Sequence, residues 1–405
     1  MPDDTTPGIQ VAALFAGTGG PQRHAAYAQL GATGPVHRVV LPTGEPAWLV
    51  TGYAELRATL HNPQLIKSES AQSALSRDRL PPEVFAAITQ HMANRNPPEH
   101  TRLRKLVAAA FTRRRIDELA PRIQQITDKL LNALAGEAQA DLVTSFAYPL
   151  PITVICELLG VPEQRRSEFR AWSATLATGT LADPREFVAA AAAIVNYVRE
   201  LVAIKRTEPA DDLLSALVAV RDGTDQLSEN ELTSMGFLIL VAGYETTVNL
   251  ISNGVHALLT HPEQLALLRS QPQLLPAAIE ELLRFDGPLQ MASFRLTSEP
   301  VQIGETTIPA GQIVIPGLLA ANRDPTHIPD PDALDITRDD NSHLAFGHGI
   351  HHCLGAPLAR LEGRIALGGL LSRFPQLRLV VPTEQLAWRP GLIMNSLATL
   401  PVALC

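Results

Sequence analysis

The stretch "FGHGIHHCLGAPLAR", residues 346–360, carries three histidines, three glycines and one cysteine in its first ten positions. So dense a set of donors raises the question of a metal, and of which atom binds it. An isolated cysteine is ordinarily a small buried hydrophobe. Two features argue otherwise for Cys353. Gly347, Gly349 and Gly355 leave the backbone free to lie close against a flat or bulky partner. Pro357 marks the first turn of a helix starting near Leu354, whose N-terminal dipole favours thiolate, the metal-binding form. Structural zinc on His348, His351, His352 and Cys353 is the rival. Such sites draw on two separated ligand pairs, whereas here all four candidates fall within six residues.

The 405 residues are 46% hydrophobic and 18% charged, enough for one large core, and they read as a single domain over 1–405 with about the first 20 residues flexible. A net charge of −8 argues against a nucleic-acid partner. Cys156, Cys353 and Cys405 are too sparse for a disulfide framework and fit a reducing, cytoplasmic setting. The N-terminus lacks a basic n-region, and its apolar run "VAALFAG" is far shorter than the roughly 20 residues of a membrane span.

Outward from the cysteine loop, the chain divides by texture. "VHRVVLP" and "AWLVTG" around "TGEP" predict a hairpin. From Pro97 to about Leu283 the pattern is helical, and Asn96-Pro97-Pro98-Glu99 has the form of a capped helix start. Ser228 and Glu231 form a capping box, and no proline follows until Pro262, which predicts roughly 30 helical residues. Its middle, "MGFLILVAGYETTVNLI", is apolar nearly all round, as an interior helix should be. After Arg284, "VQIGETTIPAGQIVIPG" reads as short strands, and "LRLVV" and "LATLPVAL" as closing ones. The expected class is mainly α with small β-sheets: a helix-rich lobe and a smaller β-rich lobe drawn from both chain ends.

Inside the long helix, "AGYETT" (residues 242–247) breaks the apolar run. A buried carboxylate is costly unless satisfied, and the plain reading pairs Glu245 with an arginine. Leu238, Ala242 and Thr246 share one helical face. Ala242 and Gly243 would open a notch there, with the Thr246 hydroxyl and Glu245 beside it, suited to a small polar ligand at a metal. Glu281 and Arg284 in "EELLR" are helical neighbours, ordinarily a surface pair worth ~0.2–0.5 kcal/mol. His100 and Arg104 in "HTRLR" share a face continued by Lys105 and Arg113–Arg115, ordinarily a solvated basic surface.

In this order, these features resemble the cytochrome P450 family of haem-thiolate monooxygenases. "FGHGIHHCLG" is similar to its haem-binding pattern at Phe346, Gly347, Gly349, His351, Cys353 and Gly355. "AGYETT" resembles its oxygen-binding helix, and Glu281 and Arg284, with Arg338 in "DITRDD", its structural triad. The likeness runs from about residue 35 to the C-terminus and is nearest to soluble actinobacterial members that tailor macrolides and other polyketides, seen in "PEHTRLRKLV", "ITVICELLGVP" and "AGYETTVNLI".

The resemblance implies haem b (iron protoporphyrin IX), with Cys353 as axial thiolate, which favours O–O cleavage. It implies that His100, Arg104, Arg295 and His351 pair with the haem propionates, that Phe346 shields the sulfur, and that Glu245 and Thr246 relay protons. Glu281, Arg284 and Arg338 are then structural, and His348 and His352 fill variable positions. The expected substrate is a hydrophobic small molecule, a macrolide, polyketide, terpenoid or steroid-like metabolite, hydroxylated or epoxidised. Expected pocket walls are residues 72–92, Leu238, Ala242, Leu289, Met291, Leu392 and Ile393. No GxGxxG loop is present; "GTGG" at Gly17 has the wrong spacing. Electrons should therefore come from a separate ferredoxin and ferredoxin reductase, docking on Arg102, Lys105 and Arg113–Arg115. Two rivals remain at this point: a haem-thiolate gas sensor without turnover, and a peroxide-driven hydroxylase, whose relatives typically replace the acid–alcohol pair.

Overall fold

The structure, a computed structural model, describes residues 9–10, 19–68, 80–177, 183–221 and 227–405. Seven helices position the site: α1 (Gly20–Gly31), α2 (Tyr53–His61), α3 (Glu99–Ala110), α4 (Pro184–Thr207), α5 (Glu229–Thr260), α6 (Leu275–Asp286) and α7 (Ala356–Arg373).

The 32-residue α5 is the axis of the fold. Both halves of its capping box form: Glu231 N–H donates to Ser228 Oγ at 3.1 Å, and Ser228 N–H donates to Glu231 Oε2 at 2.8 Å. It ends at His261, because the residue before a proline is driven out of the helical region. Helices Pro82–Thr89 and Pro149–Leu158 pack on it together with α4, α6 and α7. Both α4 and α5 are long and apolar enough to cross a membrane by length and composition. For α5 the apolarity is accounted for by the core, since most of its residues are buried inside the protein. Asp183 starts α4 as its cap, accepting from the N–H groups of Arg185 and Glu186.

Asn96 does not cap a helix as its sequence context predicts. Pro98 takes the capping position of α3 with no side-chain bond. The Asn96 amide instead clamps the backbone of Lys67, accepting from its N–H at 2.8 Å and donating to its carbonyl at 2.7 Å. A planar amide satisfies an extended strand end better than a proline-blocked helix start, where few N–H groups are free to be capped.

The β-rich lobe joins the two chain ends. Its six-stranded sheet runs Ile9–Gln10, Val36–Val40, Pro46–Val50, Ile313–Pro316, Arg295–Thr297, Leu65–Ile66. The expected hairpin is present, with Val36 opposite Val50 and Val40 opposite Pro46. Parallel pairing of Pro46–Val50 with Ile313–Pro316 brings residues far apart in sequence together. "LRLVV" and "LATLPVAL" contribute Arg378–Leu379 and Pro401–Ala403, which pair with each other, and Pro401–Ala403 pairs on its other side with Gln139–Asp141.

Candidate haem-thiolate site

Cys353 lies in the loop just before α7. Gly347 and Gly349 adopt φ of +72° and +71°, conformations that side chains disfavour. A Cβ on Gly349 would come within 2.9 Å of the Leu60 carbonyl, so the loop lies directly on the end of α2. Within the loop, Cys353 N–H donates to the Phe346 carbonyl at 2.9 Å, and the Arg360 guanidinium lies 4.5 Å from the Phe346 ring centroid.

The Cys353 side chain is exposed on one side, while protein crowds it elsewhere. That crowding raises the thiol pKa; the backbone N–H groups of Gly355 and Ala356, then Arg104 and Arg360, pull it back toward thiolate. A sulfur that is open to a ligand, poorly hydrated and met by N–H donors is built to bind a cation.

Beside it lies a cluster of basic side chains. Lys67, His100 and Arg295 are buried, Arg104 and His351 half-buried. The His100 and His351 rings are 4.3 Å apart. Burial and, after it, the fields of neighbouring cations depress both imidazoles; Lys67 and Arg295 act on each of them. Arg295 is held down to about 10 by burial. Among the described residues no carboxylate pairs with any of the five. Both ring nitrogens of His100, Nε2 of His351 and Nε of Arg295 are buried without a partner. Buried donors and charges of one sign call for an anion with several acceptor oxygens. Two carboxylates on a flat ligand bound at the sulfur would satisfy them, so the residues fit a haem. Lys67 belongs to this cluster and was missed in the sequence, where no motif marks it. Its Nζ donates to the Ser293 carbonyl at 3.2 Å and to the Ser293 hydroxyl.

On α5, Ala242 is exposed and Thr246 half-buried, on a helix that is otherwise largely covered. Thr246 Oγ1 donates to the Ala242 carbonyl at 3.2 Å, keeping its hydroxyl beside that gap. Glu245 is buried, and burial pushes its carboxyl up to about 7, against the opposing field of Arg389. Arg389 is a second residue the sequence did not reveal. Gly243 faces away from the notch. A Cβ there would meet Ile155 Cδ1 at 2.6 Å, so this glycine lets helix Pro149–Leu158 approach α5, and the notch is the work of Ala242 alone. Successive helical residues differ by ~100° in direction, which separates the two.

The structural triad forms. Arg284 donates to both Glu281 oxygens, at 2.7 and 2.8 Å, with both residues fully buried. Its remaining donors reach the Asn322, Pro331 and Ala333 carbonyls. Arg338 Nε lies 3.6 Å from Glu281 Oε2. This pair is not the solvated bridge that its spacing alone suggests.

Among the expected pocket walls, Leu238, Leu289 and Leu392 are half-buried and Ile393 is 38% exposed. Met291 is a correction: it is fully buried in the core of the β-rich lobe, with Tyr27, Phe294 and Ile315. Leu289 and Ala292 are half-buried in the same segment, and Met291 points inward between them. Residues 72–79 of the proposed 72–92 wall lie outside the described residues.

The expected basic docking patch is largely neutralised. Arg102 pairs with Glu231, Arg113 with Asp117, Arg114 with Glu118 and Arg115 with Asp211. Lys105 remains without an ion pair among the described residues.

The model of the family described as Cytochrome P450 matches residues 182–395. The chain is 50% identical over 386 residues to cytochrome P450 107B1 of Saccharopolyspora erythraea, covering 94% of each. It is 48% identical to the cytochrome P450 monooxygenase PikC of Streptomyces venezuelae, over 93% of this chain and 89% of that one. Among solved structures, the tirandamycin C-bound P450 monooxygenase TamI superposes with a TM-score of 0.88 at 46% identity, covering 94% of this chain and 97% of that one. The chain belongs to the cytochrome P450 family. It is a P450 monooxygenase, an oxidoreductase whose family implies a haem-thiolate cofactor, a small-molecule substrate and redox partners. The comparisons support this P450 as a hydroxylase, not as a sensor without turnover.

Proposed function

We propose that Cys353 ligates the iron of haem b and that Lys67, His100, Arg104, Arg295 and His351 hold its carboxylates. We further propose a hydrophobic macrolide- or polyketide-like substrate, or one of terpenoid or steroid character, hydroxylated or epoxidised in the cytoplasm. The observation that carries the reading is the exposed Cys353 sulfur facing two backbone N–H donors beside five basic side chains that no carboxylate pairs with among the described residues. Similarity to PikC and to TamI, solved with tirandamycin C bound, supports the substrate class.

Bound haem supplies activation of O2 and transfer of one oxygen atom to a C–H bond. The chain supplies the rest. Gly355 and Ala356 N–H groups temper the thiolate. Ala242 leaves room on α5 for a small ligand. Glu245, near neutral pKa, holds a proton at its carboxyl oxygen, and the Thr246 hydroxyl passes it on. Half-buried apolar Leu238, Leu289 and Leu392 exclude water from the substrate.

Electrons come from a separate ferredoxin and its reductase. With Arg102 and Arg113–Arg115 acid-paired, the docking surface centres on Lys105 and on the groove of about 580 Å³ beside the cysteine loop, lined by Arg57, His61 and His348. Surface charges of this kind govern association rate and its salt dependence.

Replacement of the ligand tests the reading. Cys353→Ser is expected to abolish the red-shifted absorption band of the reduced, carbon-monoxide-treated protein. A band that survives unaltered overturns it.

A further inference from the structure

Near the C-terminus the chain folds back on itself as a hairpin, and four carbonyls at its tip accept hydrogen bonds from residues outside it. Ala398 N–H donates to the Ala387 carbonyl, Trp388 bridges Leu397, and Arg389 N–H donates to the Ser396 carbonyl. The tip that follows, residues 390–395, rests on two fully buried amides. Gln290 donates through Nε2 to the Gly391 carbonyl at 3.0 Å and to the Met394 carbonyl at 2.8 Å, and its N–H reaches the Ile393 carbonyl at 2.8 Å. Asn395 donates through Nδ2 to Asp286 Oδ1 at 2.7 Å and to the Gly287 carbonyl at 3.0 Å, and its Oδ1 accepts from Arg23. Its N–H donates to the Pro288 carbonyl, while its own carbonyl accepts from Asn253 of α5 at 2.9 Å.

The tip so fixed meets α5 at Asn249 and Asn253, on the C-terminal side of the acid–alcohol pair. Met394 Sδ lies 3.9 Å from Asn249 Nδ2, one turn beyond Thr246, and Arg389 acts on Glu245. Leu392 and Ile393 of the tip are half-buried and exposed. Amides buried to zero exposure and used on carbonyl after carbonyl make a rigid support, because each lost bond would leave a buried acceptor unsatisfied.

We propose that Gln290 and Asn395 are positioning residues that fix the 390–395 tip over α5 and so decide how bulky a ligand fits above Thr246. The inference rests on the haem-thiolate reading and adds a specificity device to it. Neither residue touches the ligand; both act through the backbone that presents Leu392 and Ile393.

Two ferric-haem ligands of different bulk, imidazole and 4-phenylimidazole, separate this role from a general structural one when titrated by absorbance into the full-length holoprotein. Gln290→Leu and Asn395→Ala are expected to bind imidazole within about twofold of the unmodified protein while 4-phenylimidazole weakens about tenfold. Equal weakening of both ligands, or of neither, overturns the proposal. Should the buried substitutions prevent folding, the exposed tip variant Ile393→Ala carries the test: a selective change for 4-phenylimidazole is expected, and none overturns it. Absence of a thiolate-type haem spectrum in the unmodified protein would instead sink the underlying reading.

Discussion

Glu245 shows how much one buried carboxyl can contribute. Its pKa of about 7 arises from burial, so at neutral pH it is half protonated and able to give up a proton. A carboxyl whose folded-state pKa lies above its unfolded one favours the folded state at low pH and loses that contribution as pH rises through about 7. Glu245→Gln should therefore gain stability relative to the parent between pH 5 and pH 8, by up to about 3 kcal/mol, read from urea midpoints at both pH values. The same variant should slow turnover by ~10²-fold and lose the fall in rate above neutral pH. Lys67 is the second residue of interest. A charged hydrogen bond is worth about 1.5–3 kcal/mol, so Lys67→Met should speed haem transfer to apomyoglobin by ~10-fold. An unchanged transfer rate would remove Lys67 from the carboxylate site.

At the level of elements, helix ends and one ion pair decide where the loop stands. The capping box at Ser228 starts the long α5 that must place Ala242, Glu245 and Thr246. Ser228→Ala should cost ~1 kcal/mol in chemical denaturation without changing the haem spectrum. The Glu281–Arg284 pair on α6 is different in kind, because both groups are fully buried and tie down the segment carrying Asn322, Pro331 and Ala333. Removing one partner leaves an uncompensated buried charge at a cost of about 3–5 kcal/mol. Glu281→Ala should thus yield protein that fails to retain haem, seen as a lost ratio of haem to protein absorbance after gel filtration. Retention at the parent ratio would show the pair to be dispensable.

Across the whole molecule, the cluster of basic side chains joins segments distant in the chain. Lys67 and Arg295 come from the β-rich lobe, His100 and Arg104 from α3, and His351 from the cysteine loop. Like charges gathered in a low-dielectric interior repel one another. A dianionic ligand that binds only the folded state therefore stabilises the joint between lobes by mass action. Thermal unfolding of haem-loaded protein should accordingly occur well above that of haem-depleted protein, and the gap should narrow in Arg295→Ala.

The sequence alone determined much of this. The capping box, the apolar period of α5, the glycines around Cys353 and the order of short motifs are local properties, written in neighbouring residues. They sufficed for the fold class, the long helix and the first hairpin. Tertiary structure decided what depends on direction and on distant partners. It turned Gly243 toward Ile155 and Met291 into a core, and it drew Asn96 onto Lys67. It paired Arg102 and Arg113–Arg115 with acids, and it gathered Lys67, Arg389, Gln290 and Asn395 around the site. The physical reason is that a residue's type fixes the bonds it is able to make, whereas the packed chain fixes which partner is within reach.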